Sequence, residues 1–417
     1  MSGRPKVVVV LSKFPVYDEV FLLRELVALA RHVELYLLSL RPPGDSIVHD
    51  EAVPLLERLL APHFLLSLRV WAAQVRTLRR RPIAYLRAFV RTVLGNLRSP
   101  RFLAGNLAFF PKAVYLADWA VRHGVTHIHG GWATYPASAA MVASELTGIP
   151  FSFAGHAHDI YLDTTLLAEK IRRAAFVTTC TEANRSFLLA LAPGLREDRV
   201  AVLRHGIALE EFVAPSRAAT VPLEILSVGT LFPHKGHRQL VKALLLLRER
   251  GQPFRCTIVG GGPLRPELDA LVRRHGLQGE VVLTGPLKQR QLVPHYRRAS
   301  VFVLLAQPEW HWGVPNVLVE ALAARVAVVT TRFGSVEELV RDGETGLLVP
   351  AKAPLAAAEA IRCLANDDAR RRRLAEAGHR LVAEQFELAG TVRGYLERIE
   401  RASEGRHLAV ATGAAVP

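Results

Sequence analysis

Short apolar runs alternate with amphipathic stretches along most of this chain. "KVVVVLSKFP" is a β-branched run closed by a turn and reads as a buried strand. In "DEVFLLRELVALARH" the apolar residues Phe21, Leu22, Leu26, Leu29 and Ala30 recur at helical spacing, with acids at the start. "VELYLLSL" is the next strand, so the order is strand, helix, strand, the signature of a parallel βαβ unit. The order repeats. "THIHGGW" is a strand entering a glycine pair before a helix through Ala137 to Leu146. "IPFSFAGHAHD" and "AAFVTTC" are strands, "TEANRSFLLAL" opens a helix on a possible Thr cap, and "RVAVLRHGI" closes the first half. A second series follows: "LEILSVGTL", a helix in "GHRQLVKALLLLRERG" ending at Gly251, "FRCTIVGGGP", "VVLTGPL", "SVFVLLA", "VAVVTT" and "GLLVP".

This pattern predicts an α/β protein of two Rossmann-like, doubly wound domains facing across a cleft. A chain of 417 residues suits two cores of about 200 each. The expected divisions are residues 1–211, with a basic helical insertion at about 59–117; a linker at 212–222, "FVAPSRAATVP"; a second domain at 223–385; a helix at 386–402 packing back toward the first domain; and a frayed tail at 403–417. Ligands of such sheets bind beyond the carboxyl ends of the strands. The loops to inspect follow Ser12, His129, Gly155, Gly229, Gly260, Leu305 and Thr331.

Composition narrows the classes. Half the residues are hydrophobic, which excludes a disordered chain. Cys180, Cys256 and Cys363 lie far apart and read as inert core thiols in a reducing compartment. "KVVVVLS" is too short for a secretory h-region, and no uncharged apolar run reaches the roughly 18 residues of a spanning helix. The expectation is a cytoplasmic protein, soluble or peripheral. The net charge of +15 is concentrated: from Leu59 to Ala117 there are ten Lys or Arg and no Asp or Glu. Within it, Trp71, Val75, Leu78, then Ile83, Leu86, Val90 and Val93 follow helical spacing beside Arg76, Arg79, Arg80, Arg81, Arg87 and Arg91, with Pro82 at the first position of a second helix. Such a hairpin suits an anionic membrane surface or a pyrophosphate-linked lipid acceptor; the plainer alternative is a solvated Arg-rich face. Nucleic acid is not expected, because no binding motif accompanies the charge.

Four stretches offer chemistry. "SVGTLFPHKGH" delivers Gly229 from a strand and places Lys235 before a helix start, which suits phosphate binding or an ordinary surface lysine. "IVGGGP" is not a dinucleotide fingerprint and favours a structural turn. In "GVPNVLVEALA", Pro315 fits the first helical position, the amides of Asn316 and Val317 would face an anion, and Glu320 would lie in reach of neutral hydroxyls or on a solvated face. "FAGHAHDIY" sets His156, His158 and Asp159 at a strand end, as a substrate contact or as turn hydrogen bonding; two His at i, i+2 make a poor zinc site. His127 and His129 point the same way, into a strand-end site or a buried pair.

Taken together, "SKFP", "FLLREL", "HIHGGWATYPASAA", "GIPFSFAGHAHDIY", "TCTEANRSFL", "RHGI", "GHRQLVKAL", "TIVGGGPLRPEL", "LTG" and "GVPNVLVEALA" resemble bacterial glycosyltransferase family 4, most closely its exopolysaccharide and colanic-acid-type branch. The resemblance covers nearly the whole chain. It implies the GT-B fold and retaining transfer of a sugar from a nucleoside-diphosphate sugar, mostly without a metal and with no cofactor. The acceptor would be a glycan or lipid-linked glycan.

By the same resemblance Lys235 contacts the donor diphosphate, Glu320 the ribose, and His156 the transferred sugar. Gly229, Thr230, His234, Gly236, Glu309, Trp312, Gly313, Val314, Pro315, Asn316 and Val317 complete the donor side; Glu19, His129, His158 and Asp159 form the acceptor side. Three positions depart from the family. Trp312 stands where the first acid of its Glu-x7-Glu pair falls, Thr230 where many relatives carry Arg, and Gly131 where many carry His. Glu309 or His311 replacing the acid, an indole stacking on the sugar, and weakened catalysis are all compatible with this. The rival reading is a catalytically degenerate nucleotide-binding subunit of a polysaccharide assembly complex. A nicotinamide dehydrogenase would need a full fingerprint that the chain lacks.

Overall fold

The computed structural model describes residues 4–42, 47–60, 67–212, 221–310 and 313–412, without the side chains of 310 and 405–412. The chain divides into two compact units, residues 1–204 with 389–417, and residues 205–388.

The first unit is built on a parallel sheet of β1 (Lys6–Lys13), β2 (Glu34–Arg41), β3 (Leu59–Leu60), β4 (His127–Gly130), β5 (Phe151–Gly155), β6 (Phe176–Thr179) and β7 (Val200–Val202), in the order β3-β2-β1-β4-β5-β6-β7. Strand β1 is apolar and buried from Val7 to Leu11 because both its faces are covered there. Val8 and Val10 pack into the cluster formed with the helices Leu68–Arg80, Pro100–His123 and Tyr135–Thr147. Val7 and Val9 face the helix Val20–Leu29 and the C-terminal helix Leu388–Thr412. Alternation along a single strand thus supplies both layers. Asp18 and Glu19 precede Val20–Leu29 rather than forming its first turn. The Thr181 hydroxyl accepts from the Asn184 amide at 3.1 Å and caps the helix Glu182–Leu191.

The second unit holds β8 (Leu223–Val228), β9 (Phe254–Val259), β10 (Val281–Gly285), β11 (Val301–Leu304), β12 (Ala327–Thr331) and β13 (Leu347–Val349), again parallel, in the order β10-β9-β8-β11-β12-β13. In each sheet the chain winds outward one way and then returns to wind the other way. The reversal falls between β1 and β4 in the first unit and between β8 and β11 in the second. Those are the switch points where such sheets leave a crevice.

The boundaries differ from the sequence expectation. The units change at Arg204 and His205, not at 211–212, because 205–212 packs on the second unit: the Ile207 amide donates to Phe386 O at 2.8 Å, and Phe212 is buried against Tyr296. Residues 213–220 of the expected linker lie outside the described residues. The last helix continues past Ser403 to Thr412, where fraying was expected; the Glu, Arg, Leu and Ala of that stretch are strong helix formers. Within the first unit this helix buries Tyr395, whose hydroxyl lies 3.2 Å from Thr178 Oγ1.

At the carboxyl edge of the second sheet the loops after β8 and β9 are bonded into one block. The Gly229 amide donates to Val259 O, Leu231 to Gly261 O and Leu264 to Leu231 O, at 2.8–3.0 Å. Gly260 and Gly262 adopt φ of +147° and +152°, and a Cβ on Gly260 would stand 2.0 Å from Gly229 O. Gly251 also has a positive φ, +70°, but open space beside it. Gly251→Ala should therefore cost about 1 kcal/mol from backbone strain alone, and Gly260→Ala at least twice that, roughly 2–4 kcal/mol, from added backbone collision. Urea unfolding of the two variants checks this; equal losses would show that the close approach is not the constraint.

Candidate functional site

In the second unit, Gly229 and Thr230 leave β8 and lead through Pro233–Lys235 to Gly236 and the helix His237–Glu249. Gly236 has φ +78°, and a Cβ there would lie 1.8 Å from Leu305 O, so only glycine lets this loop cross the end of β11. The two loops are tied directly, with the Gln307 amide donating to His234 O at 2.8 Å. Lys235 lays its stem over Gly229, Cγ and Cδ being 3.9 Å from the Cβ position. Burial and the adjacent Lys235 charge lower the His234 pKa.

The stretch after β11 reaches the helix Asn316–Ala323. Pro315 is its N-cap, with ψ 127°, rather than its first helical residue; its carbonyl accepts from Leu318 at 3.0 Å. The amides of Asn316 and Val317 meet no acceptor among the described residues, as is usual for a first turn. Gly313, Val314, Asn316 and Val317 are half-buried. Glu320 is buried at 4% exposure, not on a solvated face, and its Oε1 lies 3.5 Å from Gln289 Nε2. Glu309 is exposed and paired with Lys352 at 3.3 Å, so this acid is turned to a surface partner. His311 and Trp312 lie outside the described residues. The arrangement offers a lysine, helix-start amides without an acceptor among the described residues and a sheltered carboxylate about one turn further in, chemistry suited to an anion beside neutral hydroxyls.

In the first unit the switch-point loops follow β1 and β4. His156, at the end of β5, is 6% exposed and donates from Nε2 to Gly131 O at 3.1 Å, with Phe21 and Trp132 edge-on at 5.5 and 4.6 Å. A Cβ on Gly131 would meet Leu11 Cδ2 at 2.7 Å, so the strand's packing leaves no room for the histidine of relatives without a shift. His158 is exposed beside Trp132, and Glu19 is half-buried at the N-cap of Val20–Leu29.

Two residues expected on the acceptor side are buried and bonded within the fold. Asp159 is buried and accepts from the amides of His156, Ala157 and Ala133 at 2.8–3.0 Å, which makes it the clamp of two loops. His129 belongs to a buried pair: its Nδ1 and His127 Nε2 both lie 2.7–2.8 Å from Ser152 Oγ. It also lines a hollow shared with His156, Leu22, Glu25 and Tyr395.

Three groups escaped the sequence pattern. Lys170 is 1% exposed and donates to Ala133 O at 2.8 Å and Thr134 O at 3.1 Å; burial pushes its pKa down to about 7, against the pull of Asp159 and Asp163. Asn184 donates to His156 O. His237 is 1% exposed, with neither ring nitrogen bonded among the described residues. In "LAEKIRRAAF" Lys170 has the context of a surface helix, and no local signal marks it otherwise.

Residues 210–381 match the profile of the family described as glycosyl transferases group 1. WcaL of Escherichia coli, named for colanic acid biosynthesis, is 33% identical over 162 residues, 38% of this chain and 40% of that protein. AmsK of Erwinia amylovora, named as an amylovoran biosynthesis glycosyltransferase, is 31% identical over 164 residues, again 38% and 40%. The matches thus span about two fifths of these curated relatives. Among solved structures, Anabaena HepE in complex with UDP superposes with TM-score 0.69 at 16% identity, covering 95% of this chain and 100% of that one. The chain has the GT-B fold, with two Rossmann-like parallel-sheet domains.

Burial holds the His127 and His129 pKa values down to about 3 and that of His237 to about 4, each helped by a neighbouring cation or imidazole. These rings are neutral in the fold and titrate near 6.5 when unfolded. Their contribution is therefore complete above about pH 6.5 and declines as pH falls toward 4 for His237 and 3 for the pair. Between pH 7 and 5 each should cost about 2 kcal/mol of stability. Denaturant unfolding at the two pH values should show His237→Gln flattening the decline; an unchanged slope would assign the acid sensitivity elsewhere.

Proposed function

We propose, from the match of residues 210–381 to the glycosyl transferases group 1, that this chain is a retaining, metal-independent hexosyltransferase. It moves a sugar from a nucleoside-diphosphate sugar to a lipid-linked glycan in exopolysaccharide or cell-surface polysaccharide biosynthesis. It works in the cytoplasm at the inner face of the membrane, which it contacts peripherally through its basic segment.

The observation that carries this reading is the bonded loop block of the second unit, where Lys235 lies over Gly229 and the free amides of Asn316 and Val317 open the helix after β11. When the bond from sugar to diphosphate breaks, negative charge grows on the departing phosphate. Lys235 and the helix-start amides stabilise it there with little reorganisation. Glu320, sheltered from water, accepts from ribose hydroxyls, and charge-assisted bonds of this kind are the strong ones. His156, fixed by Gly131 O and two aromatic edges, orients the transferred sugar. HepE was solved with UDP and with UDP-glucose, which makes a UDP-sugar the first donor to test.

Trp312 and Thr230 favour a second reading, a subunit that binds nucleotide without transfer, since they occupy the places of an acid and an arginine. Donor hydrolysis separates the two. Trp312→Glu should keep or raise hydrolysis if the pocket is otherwise competent; no turnover by either protein, with UDP still bound, would support the subunit. For the donor site itself, Lys235→Ala should weaken UDP binding by about 1.5–3 kcal/mol, roughly 10- to 150-fold, in calorimetric titration. Affinity within about twofold of the unmodified protein would remove Lys235 from the site.

A further inference from the structure

The helices Leu68–Arg80 and Pro82–Leu94 are packed with their apolar sides outward. The first buries Val70, Ala73, Gln74 and Thr77, and the second buries only Ala88 and Thr92. These inward faces are small and partly polar, and hydrogen bonds tie them down. Gln74 Nε2 donates to Pro111 O at 3.0 Å and Tyr85 Oη to Gln74 Oε1 at 3.1 Å, which joins the helices, while Gln74 Nε2 to Val70 O and Thr92 Oγ1 to Ala88 O, at 3.2 and 2.8 Å, satisfy buried polar groups within their own helices. The large apolar residues face out: Leu68 is 86% exposed, Trp71 53%, Ile83 73% and Leu86 62%, with Val75 and Leu78 nearly half-exposed. Single exposed apolar residues are ordinary; two adjacent helices presenting such rows are a surface awaiting a partner.

The charges beside these rows identify the partner. Of the arginines, Arg76 is held by Asp118, and Arg91 by Glu145 and Glu169, so both serve the fold. Arg69, Arg79, Arg80, Arg81 and Arg87 are exposed and form no ion pair among the described residues. The segment from Leu59 to Ala117 contains no acid to neutralise them. Protein interfaces accept Arg, but a protein partner would have to set acids opposite all five of these arginines. A bilayer interface takes both at once, with apolar side chains among the acyl chains and arginines at anionic headgroups.

We propose that the outward face of this helical hairpin is a membrane-docking surface, inserting Leu68, Trp71, Ile83 and Leu86 into the interface of an anionic bilayer. The inference deepens the reading above, since a lipid-linked acceptor resides in such a membrane. Among the described residues no helix is long and apolar enough to cross one, so attachment of this portion is at the surface. Arg76 and Arg91 are excluded from the docking charge, and Arg79, Arg80, Arg81 and Arg87 supply it.

The test is co-sedimentation of the full chain with vesicles of phosphatidylglycerol and phosphatidylcholine, or of phosphatidylcholine alone. Binding is expected to the first and to be at least about tenfold weaker to the second. Leu68→Ser, Ile83→Ser and Leu86→Ser combined change only exposed side chains, so the fold should stand, and partitioning should drop at least about tenfold. Arg79→Glu, Arg80→Glu, Arg81→Glu and Arg87→Glu combined should abolish binding. Salt should weaken binding of the unmodified protein. Quenching of Trp71 fluorescence by brominated lipid, lost in Trp71→Tyr, would place that side chain at acyl depth. Absence of binding to the anionic vesicles overturns the proposal. So does unchanged partitioning of the serine variant, or a dimer in solution that the serine variant dissolves, which would make the face a contact between copies. UDP titration of the same samples keeps the two readings apart: intact UDP affinity without vesicle binding sinks only the docking surface, and vesicle binding without UDP affinity sinks only the transferase.

Discussion

Backbone laid directly on backbone is the constraint from which the second unit's site follows. Gly260 and Gly262 press on residues 229–231, and Gly236 crosses Leu305 O at a distance no side chain tolerates. The loops after β8, β9 and β11 are thereby fixed to one another before any ligand arrives. The proposed diphosphate site would need such rigidity, because amides that must reorganise on binding lose much of their electrostatic advantage. The strand-order reversal between β8 and β11 supplies the gap, and the glycines let the loops beside it close up.

The first unit reaches comparable rigidity by a different route. Its corresponding loops are held by a buried carboxylate and a buried amine: Asp159 gathers three amides, and Lys170 holds the carbonyls of Ala133 and Thr134. Burying both groups is costly unless each is fully engaged, and here each has several partners. The outcome is a His156 whose ring is oriented by Gly131 O and whose backbone carbonyl is held by Asn184. The polar groups closest to His156 thus shape its loop.

The inserted helices invert the usual rule for amphipathic segments. Their inward contacts are specified by Gln74 and Tyr85 through hydrogen bonds, with the Thr92 hydroxyl satisfied inside its own helix, and the apolar rows face outward. Hydrophobic periodicity reports only that a helix has two faces; which one turns to the core depends on what the neighbouring helix offers. Here Pro100–His123 offers the carbonyl of Pro111 and the carboxylate of Asp118.

Local chemistry was enough to determine most of the fold. β-branched runs, helical spacing and glycine or proline stops fix strand and helix type because each acts within a few residues. Thr181 as a cap and the turn of "IVGGGP" are of that kind. The resemblance added roles for Lys235, Glu320 and His156, and the structure sets Lys235 in the loop block and buries Glu320. Tertiary structure alone decided the rest. Lys170 and Asp159 become loop clamps only when the segments they hold, distant in sequence, are brought together. His127 and His129 share one alternation under either reading, and the neighbour Ser152 on β5 makes them a buried pair. The unit boundary moved to Arg204 because 205–212 found apolar cover on the second unit. The outward turn of Trp71 and Ile83 followed from which side of each helix could hydrogen-bond inward. In each case the deciding energy is a contact between residues far apart in the chain, which a one-dimensional pattern does not contain.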